Sequence, residues 1–125
     1  MDKKKIMIVD DEIEFVEMIT MRFRASGYEV MASHDGEGVI EKIRTEKPDL
    51  VLLDIMLPNV DGYIICSAIK KDAEFKKIPV ILLTAKDTTS EADKLQEAGA
   101  DYCMIKPFEP KELLDKIREL IKKSS

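Results

Sequence analysis

The stretch DLVLLDIMLPNVDG, residues 49–62, decides the fold. Its apolar run, residues 50–53, shows neither the alternation of a half-exposed strand nor the spacing of an amphipathic helix. A second such run, PVILL, follows at residues 79–83. Short strands that are apolar on both faces belong inside a parallel sheet with helices on either side. Asp54 comes directly after the first run, and carboxylates seldom sit beside a core without a partner.

Outward from this stretch, strands and amphipathic segments alternate. KIMIV (5–9), YEVMA (28–32) and YCMI (102–105) complete a set of five strands. Helices are expected over residues 12–26, 36–46, 62–72, 89–98 and 110–123. The first places Ile13, Val16, Ile19 and Phe23 at helical spacing, with Gly27 as its C-terminal cap. The fourth has a thin stripe of Ala92, Leu95 and Ala98, so it is cheaper to move. The last has the cleanest stripe: Leu113, Leu114, Ile117, Leu120 and Ile121. Five βα units with right-handed crossovers predict a doubly wound α/β fold. It has three layers, a five-stranded parallel sheet, five helices and a flavodoxin-like topology.

With 125 residues, 45% apolar and 36% charged, the chain suits one domain spanning 1–125. Its net charge of −5, without a basic face interleaved with aromatics, argues against a direct nucleic-acid ligand. Lys3, Lys4 and Lys5 read as a solvated strand start. No apolar run reaches membrane-spanning length, and residues 6–9 are too few for a signal-peptide core, so a cytoplasmic protein is expected. Cys66 and Cys103 match no zinc spacing and are expected as free thiols. His34, beside Asp35 and Gly36, reads as a surface residue in a turn.

In open parallel sheets ligands bind beyond the carboxyl ends of the strands. Here the first strand ends in Asp10-Asp11, the third in Asp54, the fourth in Thr84 and the fifth in Lys106-Pro107. Each residue has an ordinary explanation, such as a helix cap, a turn or a surface lysine. Together they put three acids, a hydroxyl and an amine at one edge. Crowded carboxylates repel, and one takes a proton unless a cation is present. Mg²⁺ meets the need with oxygen ligands: Asp10 or Asp11, Asp54 and the backbone carbonyl of Met56. Asp54 can then act as a nucleophile toward phosphorus, with Lys106 and Thr84 serving the phosphoryl oxygens.

The segments IVDDE (8–12), DLVLLDIMLPNVDG, PVILLTA (79–85) and GADYCMIKPF (99–108) occur in this order. With them the chain resembles the receiver domain of bacterial two-component response regulators over essentially its full length, as a stand-alone, chemotaxis-type module. The resemblance implies Asp54 as phosphoacceptor, Asp10, Asp11, Asp54 and the Met56 carbonyl around Mg²⁺, Thr84 as switch hydroxyl and Lys106 as phosphate-binding lysine. It also implies a cis bond before Pro107, and Gly62 in a structural place after the phosphoacceptor loop. The partner would be a sensor histidine kinase or a histidine phosphotransfer protein. The phosphorylated state would favour a rearranged protein-binding face made by the fourth helix, fifth strand and fifth helix.

The family's aromatic residue three before the lysine is replaced by Cys103, and Tyr102 stands one place earlier. One residue of shift turns a strand side chain to the opposite face, so Tyr102 is expected to point away from Thr84. Met56 and Lys86 hold the positions that influence water's access to the phosphoryl group. For a charge-paired dimer like that of the transcription-factor subgroup, Asp101, Glu112 and Lys116 are available, but Ala92 and Tyr102 stand where charges are expected. Alternatives are a truncated receiver of a DNA-binding regulator and an aspartyl-phosphate hydrolase. A flavin protein fits less well, because DDE after the first strand would repel a phosphate. A scaffold that has lost phosphotransfer would not need the whole polar set.

Overall fold

A computed structural model of the chain describes residues 3–84 and 97–124. Five strands, β1 (Lys5–Val9), β2 (Glu29–Ser33), β3 (Leu50–Asp54), β4 (Val80–Thr84) and β5 (Tyr102–Ile105), form one sheet in the order β2-β1-β3-β4-β5. Every pairing is parallel. The strand order reverses between β1 and β3, the expected doubly wound arrangement. The described helices are α1 (Ile13–Ala25), α2 (Val39–Glu46), α3 (Gly62–Lys71) and a C-terminal helix (Pro110–Ser124). Glu97 and Ala98 are also helical, but the rest of the predicted fourth helix lies outside the described residues.

All five residues of β3 and all five of β4 are buried, which is why their sequences carry no alternation. Alternate residues feed two cores. Val51, Leu53, Val80 and Leu82 pack with Val39 and Ile43 of α2 and with Ile65 and Ile69 of α3. Leu50, Leu52, Ile81 and Leu83 pack with Val16, Ile19 and Phe23 of α1 and with Leu113, Ile117 and Ile121 of the C-terminal helix. Full burial of one such side chain is worth about 1.5–3 kcal/mol. Cys66 and Cys103 are free thiols. Cys66 donates to the Ala98 carbonyl at 3.4 Å, and burial pushes its pKa up to about 11.

Helix α2 starts three residues later than the sequence predicts. Residues 36–38 form a turn instead, with Gly38 in the left-handed region at φ 76° and capping the helix. A Cβ on Gly36 would lie 2.9 Å from both Ile65 and Val60, so this turn is seated against α3 and the loop before it. β3 and β4 each run one residue further than expected. Asp54 and Thr84 are therefore strand residues held by the sheet register, Asp54 opposite Leu83 and Thr84 opposite Ile105.

Candidate functional site

The register aligns the carboxyl ends of β1, β3, β4 and β5. Val9 pairs with Leu53, so Asp10 leaves β1 beside the end of β3. Asp10 is fully buried, and Asp54 and Thr84 are nearly so. They are three of the four buried polar residues among those described; Ser33, whose carbonyl accepts the Asp10 N–H at 3.0 Å, is the fourth.

Each acid is fixed locally. Asp10 Oδ1 accepts the N–H of Glu12 at 2.9 Å, and the carbonyl of Glu12 accepts the first turn of α1 from Val16 at 3.0 Å. Asp54 Oδ1 accepts the N–H of Met56 at 3.0 Å. The loop after β3 closes on itself: Gly62 N–H donates to the Ile55 carbonyl at 2.9 Å, and Asp61 caps α3 through Tyr63 N–H at 2.8 Å. A Cβ on Gly62 would lie 2.4 Å from the Asp54 carbonyl oxygen, so only glycine fits there.

Lys106 enters from the end of β5. Its N–H donates to the Thr84 carbonyl at 2.7 Å, and the bond to Pro107 is cis, as the resemblance implies. Its Nζ lies 2.7 Å from Asp10 Oδ2, 2.8 Å from Glu12 Oε1 and 3.8 Å from Asp54 Oδ2. The same Nζ sits 4.3 Å from the centre of the Phe15 ring, which meets Phe108 edge-on at 5.9 Å. Burial pulls the lysine pKa down, but the hydrogen bonds it donates to Asp10 and Glu12, with the charges of Asp10 and Asp54, outweigh it and leave it raised. Asp54 is pushed up to about 6, first by burial and then by the charges of Asp10 and Asp11; the Met56 N–H and Lys106 act in the opposite direction. The repulsion expected from the sequence is therefore present, and Asp54 bears it.

Carboxylate oxygens of Asp10, Glu12 and Asp54 come within 4.8 Å of one another. That set of hard oxygen donors fits a divalent cation such as Mg²⁺. Asp11 is exposed and stands outside this group, although its charge reaches Asp54. Glu12 was not expected: the pair Asp10-Asp11 drew the reading, while Glu12 joins only through a lysine 94 residues away. The signal for it was the third acid in the run DDE. Met56, two residues beyond Asp54, is 73% exposed. His34 is exposed, and its Nδ1 lies 3.1 Å from the Asp10 carbonyl.

Tyr102 shares the sheet face of Met104, toward the C-terminal helix, and its ring lies 4.2 Å from Lys116 Nζ. Cys103 takes the other face with Leu82, the parity to which Thr84 belongs. Lys86 and Ala92 lie outside the described residues.

The family of response regulator receiver domains matches residues 6–118. The alkaline phosphatase synthesis transcriptional regulatory protein PhoP of Bacillus subtilis is 41% identical over 123 residues, covering 97% of this chain and 50% of that protein. The chain spans about half the length of the curated relatives it matches. The crystal structure of a CheY-like response regulator receiver domain protein from Methanospirillum hungatei JF-1 superposes with a TM-score of 0.91 at 28% identity, covering 98% of this chain and 97% of that one. The BeF3-activated N-terminal receiver domain of Klebsiella pneumoniae RstA gives a TM-score of 0.86 at 33% identity, covering 94% of this chain and 98% of that one.

Proposed function

The chain belongs to the family of response regulator receiver domains, the phosphoacceptor signalling domains of two-component systems, and from that premise we propose that Asp54 is its phosphoacceptor. The observation that carries this is the raised, buried carboxyl of Asp54 facing a lysine ammonium at the end of four strands. A carboxylate with a pKa of about 6 is mostly ionised at neutral pH, so it is available as a nucleophile.

The donor is the phosphohistidine of a sensor histidine kinase or a phosphotransfer protein. An Oδ of Asp54 forms the new bond to phosphorus as the P–N bond breaks. The electron pair of that bond stays on the imidazole nitrogen, which then takes a proton. Lys106 and the Thr84 hydroxyl donate hydrogen bonds to the phosphoryl oxygens as charge develops there. Asp10, Asp54 and the Met56 carbonyl would hold Mg²⁺, with the exposed Asp11 adding its charge beside them, and the ion would supply positive charge to those oxygens when bound. Phosphorylation removes the carboxylate charge of Asp54 and places about −1.5 to −2 on the phosphoryl group. Thr84 and Lys106 then follow that charge, and a face including β5 and the C-terminal helix presents the change to a protein target.

A second reading has a specific support. The relatives are about twice as long, and PhoP is named a transcriptional regulator, so this chain would be the receiver part of a DNA-binding regulator. A charge-paired receiver dimer has less to work with here. Asp101 Oδ2 is already held by Lys70 Nζ and Val80 N–H, both at 2.8 Å, and Lys116 is engaged with Tyr102 and Glu119.

Incubation with acetyl phosphate and Mg²⁺, followed by intact mass, tests the proposal. One phosphoryl group per chain, lost in Asp54→Asn, is expected; an unmodified wild-type chain rejects it. Continued turnover of phosphate esters beyond one equivalent would point to a hydrolase instead.

A further inference from the structure

The reading of Asp54 as phosphoacceptor leaves a question about Lys106. An ammonium has three N–H donors. Two are directed at Asp10 and Glu12, at 2.7 and 2.8 Å, while Asp54 at 3.8 Å is beyond hydrogen-bond distance. The cation therefore rests among acids on the α1 side of the site. When a phosphoryl group arrives on Asp54, its oxygens need the donors that these acids now hold.

The two holders are unequal. Asp10 is fully buried and its second oxygen is tied to the Glu12 N–H, so its carboxylate is fixed in place. The side chain of Glu12 is 62% exposed, and water can replace the lysine around it at little cost. Glu12 does not spend its carboxylate on capping α1, although it occupies the N-cap position. Its described side-chain partner is Lys106.

Resting on the phosphoacceptor reading, we propose that Glu12 is a positioning residue that holds the Lys106 ammonium away from Asp54 in the unphosphorylated protein and releases it when the phosphoryl group is captured. Glu12 thereby sets how readily the site accepts phosphate. Asp10 keeps the lysine near throughout, so release is a swing of the ammonium from one carboxylate toward the new oxygens. A rival role is visible in the same geometry, since Glu12 belongs to the acid group that fits a cation. The two roles predict opposite results.

The test compares wild type, Glu12→Gln and Glu14→Gln for affinity toward beryllofluoride at saturating Mg²⁺, read by amide NMR shifts. Glu14 is an exposed acid in the first turn of α1 and controls for net charge alone. The expected result is roughly two- to fivefold tighter binding for Glu12→Gln, the scale of an exposed ion pair. The gain should shrink in about 1 M salt, where such pairs are screened. The Lys106 side-chain NMR signals should also move in ligand-free Glu12→Gln and stay put in Glu14→Gln. Equal or weaker binding by Glu12→Gln, or the same gain in Glu14→Gln, overturns the proposal while leaving the phosphoacceptor reading intact. If no protein binds beryllofluoride, that reading falls, and this inference falls with it.

Discussion

Asp54→Asn should stabilise the metal-free protein at pH 8 and do almost nothing at pH 4. The native carboxyl has its pKa raised from 3.8 to about 6, with burial the largest cause. Between those values the folded protein keeps a proton that the unfolded chain releases. Stability therefore falls as pH rises through that window. Below about pH 4 both states are protonated and the cost vanishes; above about pH 6 it is complete, and the rise corresponds to about 3 kcal/mol. Asparagine has no charge to desolvate, and its Oδ1 can still accept the Met56 N–H now taken by Asp54. Urea denaturation in EDTA is the assay. With a slope of about 1–3 kcal/mol per M, the midpoint of Asp54→Asn should rise by about 1–3 M at pH 8 and coincide with wild type at pH 4. Mg²⁺ should narrow the gap by stabilising wild type through mass action. A variant less stable than wild type at pH 8, or an equal gain at both pH values, would refute the reasoning.

Gly62→Ala should cost at least about 2 kcal/mol, because its Cβ would meet the Asp54 carbonyl oxygen at 2.4 Å and backbone cannot yield as a side chain can. The thermal midpoint should drop by at least about 6 °C, and a drop under 2 °C would contradict the packing. Leu53→Ala, in fully buried β3, should cost about 2–5 kcal/mol in the same denaturation assay. Met56→Asn should shorten the lifetime of the phosphorylated protein, since an amide can orient water where an exposed thioether chain cannot; equal phosphate release by the two proteins would count against it. Tyr102→Phe should leave the phosphorylation-induced amide shifts at Thr84 unchanged, because the ring lies against Lys116.

What could be read from the sequence was what depends on neighbours along the chain. The apolar runs at 50–53 and 79–83 announced strands buried on both faces, and β3 and β4 are so buried. The turn of Tyr102 away from the Thr84 face followed from the strand period once the resemblance had placed the family's aromatic at position 103. The residues at the strand ends were found because a parallel sheet brings all its carboxyl ends to one edge. What escaped depends on contacts between distant segments. Gly36 looked like a helix start, but its turn is shaped by Ile65 and Val60. Glu12 looked like the start of the first helix, but it reaches across the sheet edge to Lys106. No local pattern encodes either contact, because each needs two loops to be in place first.

The central claim is that one acid among several at this edge is phosphorylated to an acyl phosphate. Borohydride reduction of the protein after treatment with acetyl phosphate and Mg²⁺, followed by peptide mapping, tests it most directly. Only an acyl phosphate is reduced, and its aspartate becomes homoserine. The account predicts homoserine at position 54 and at no other acid. Homoserine at position 10 or 11, reduction at Glu12, or no reduced residue at all would contradict it.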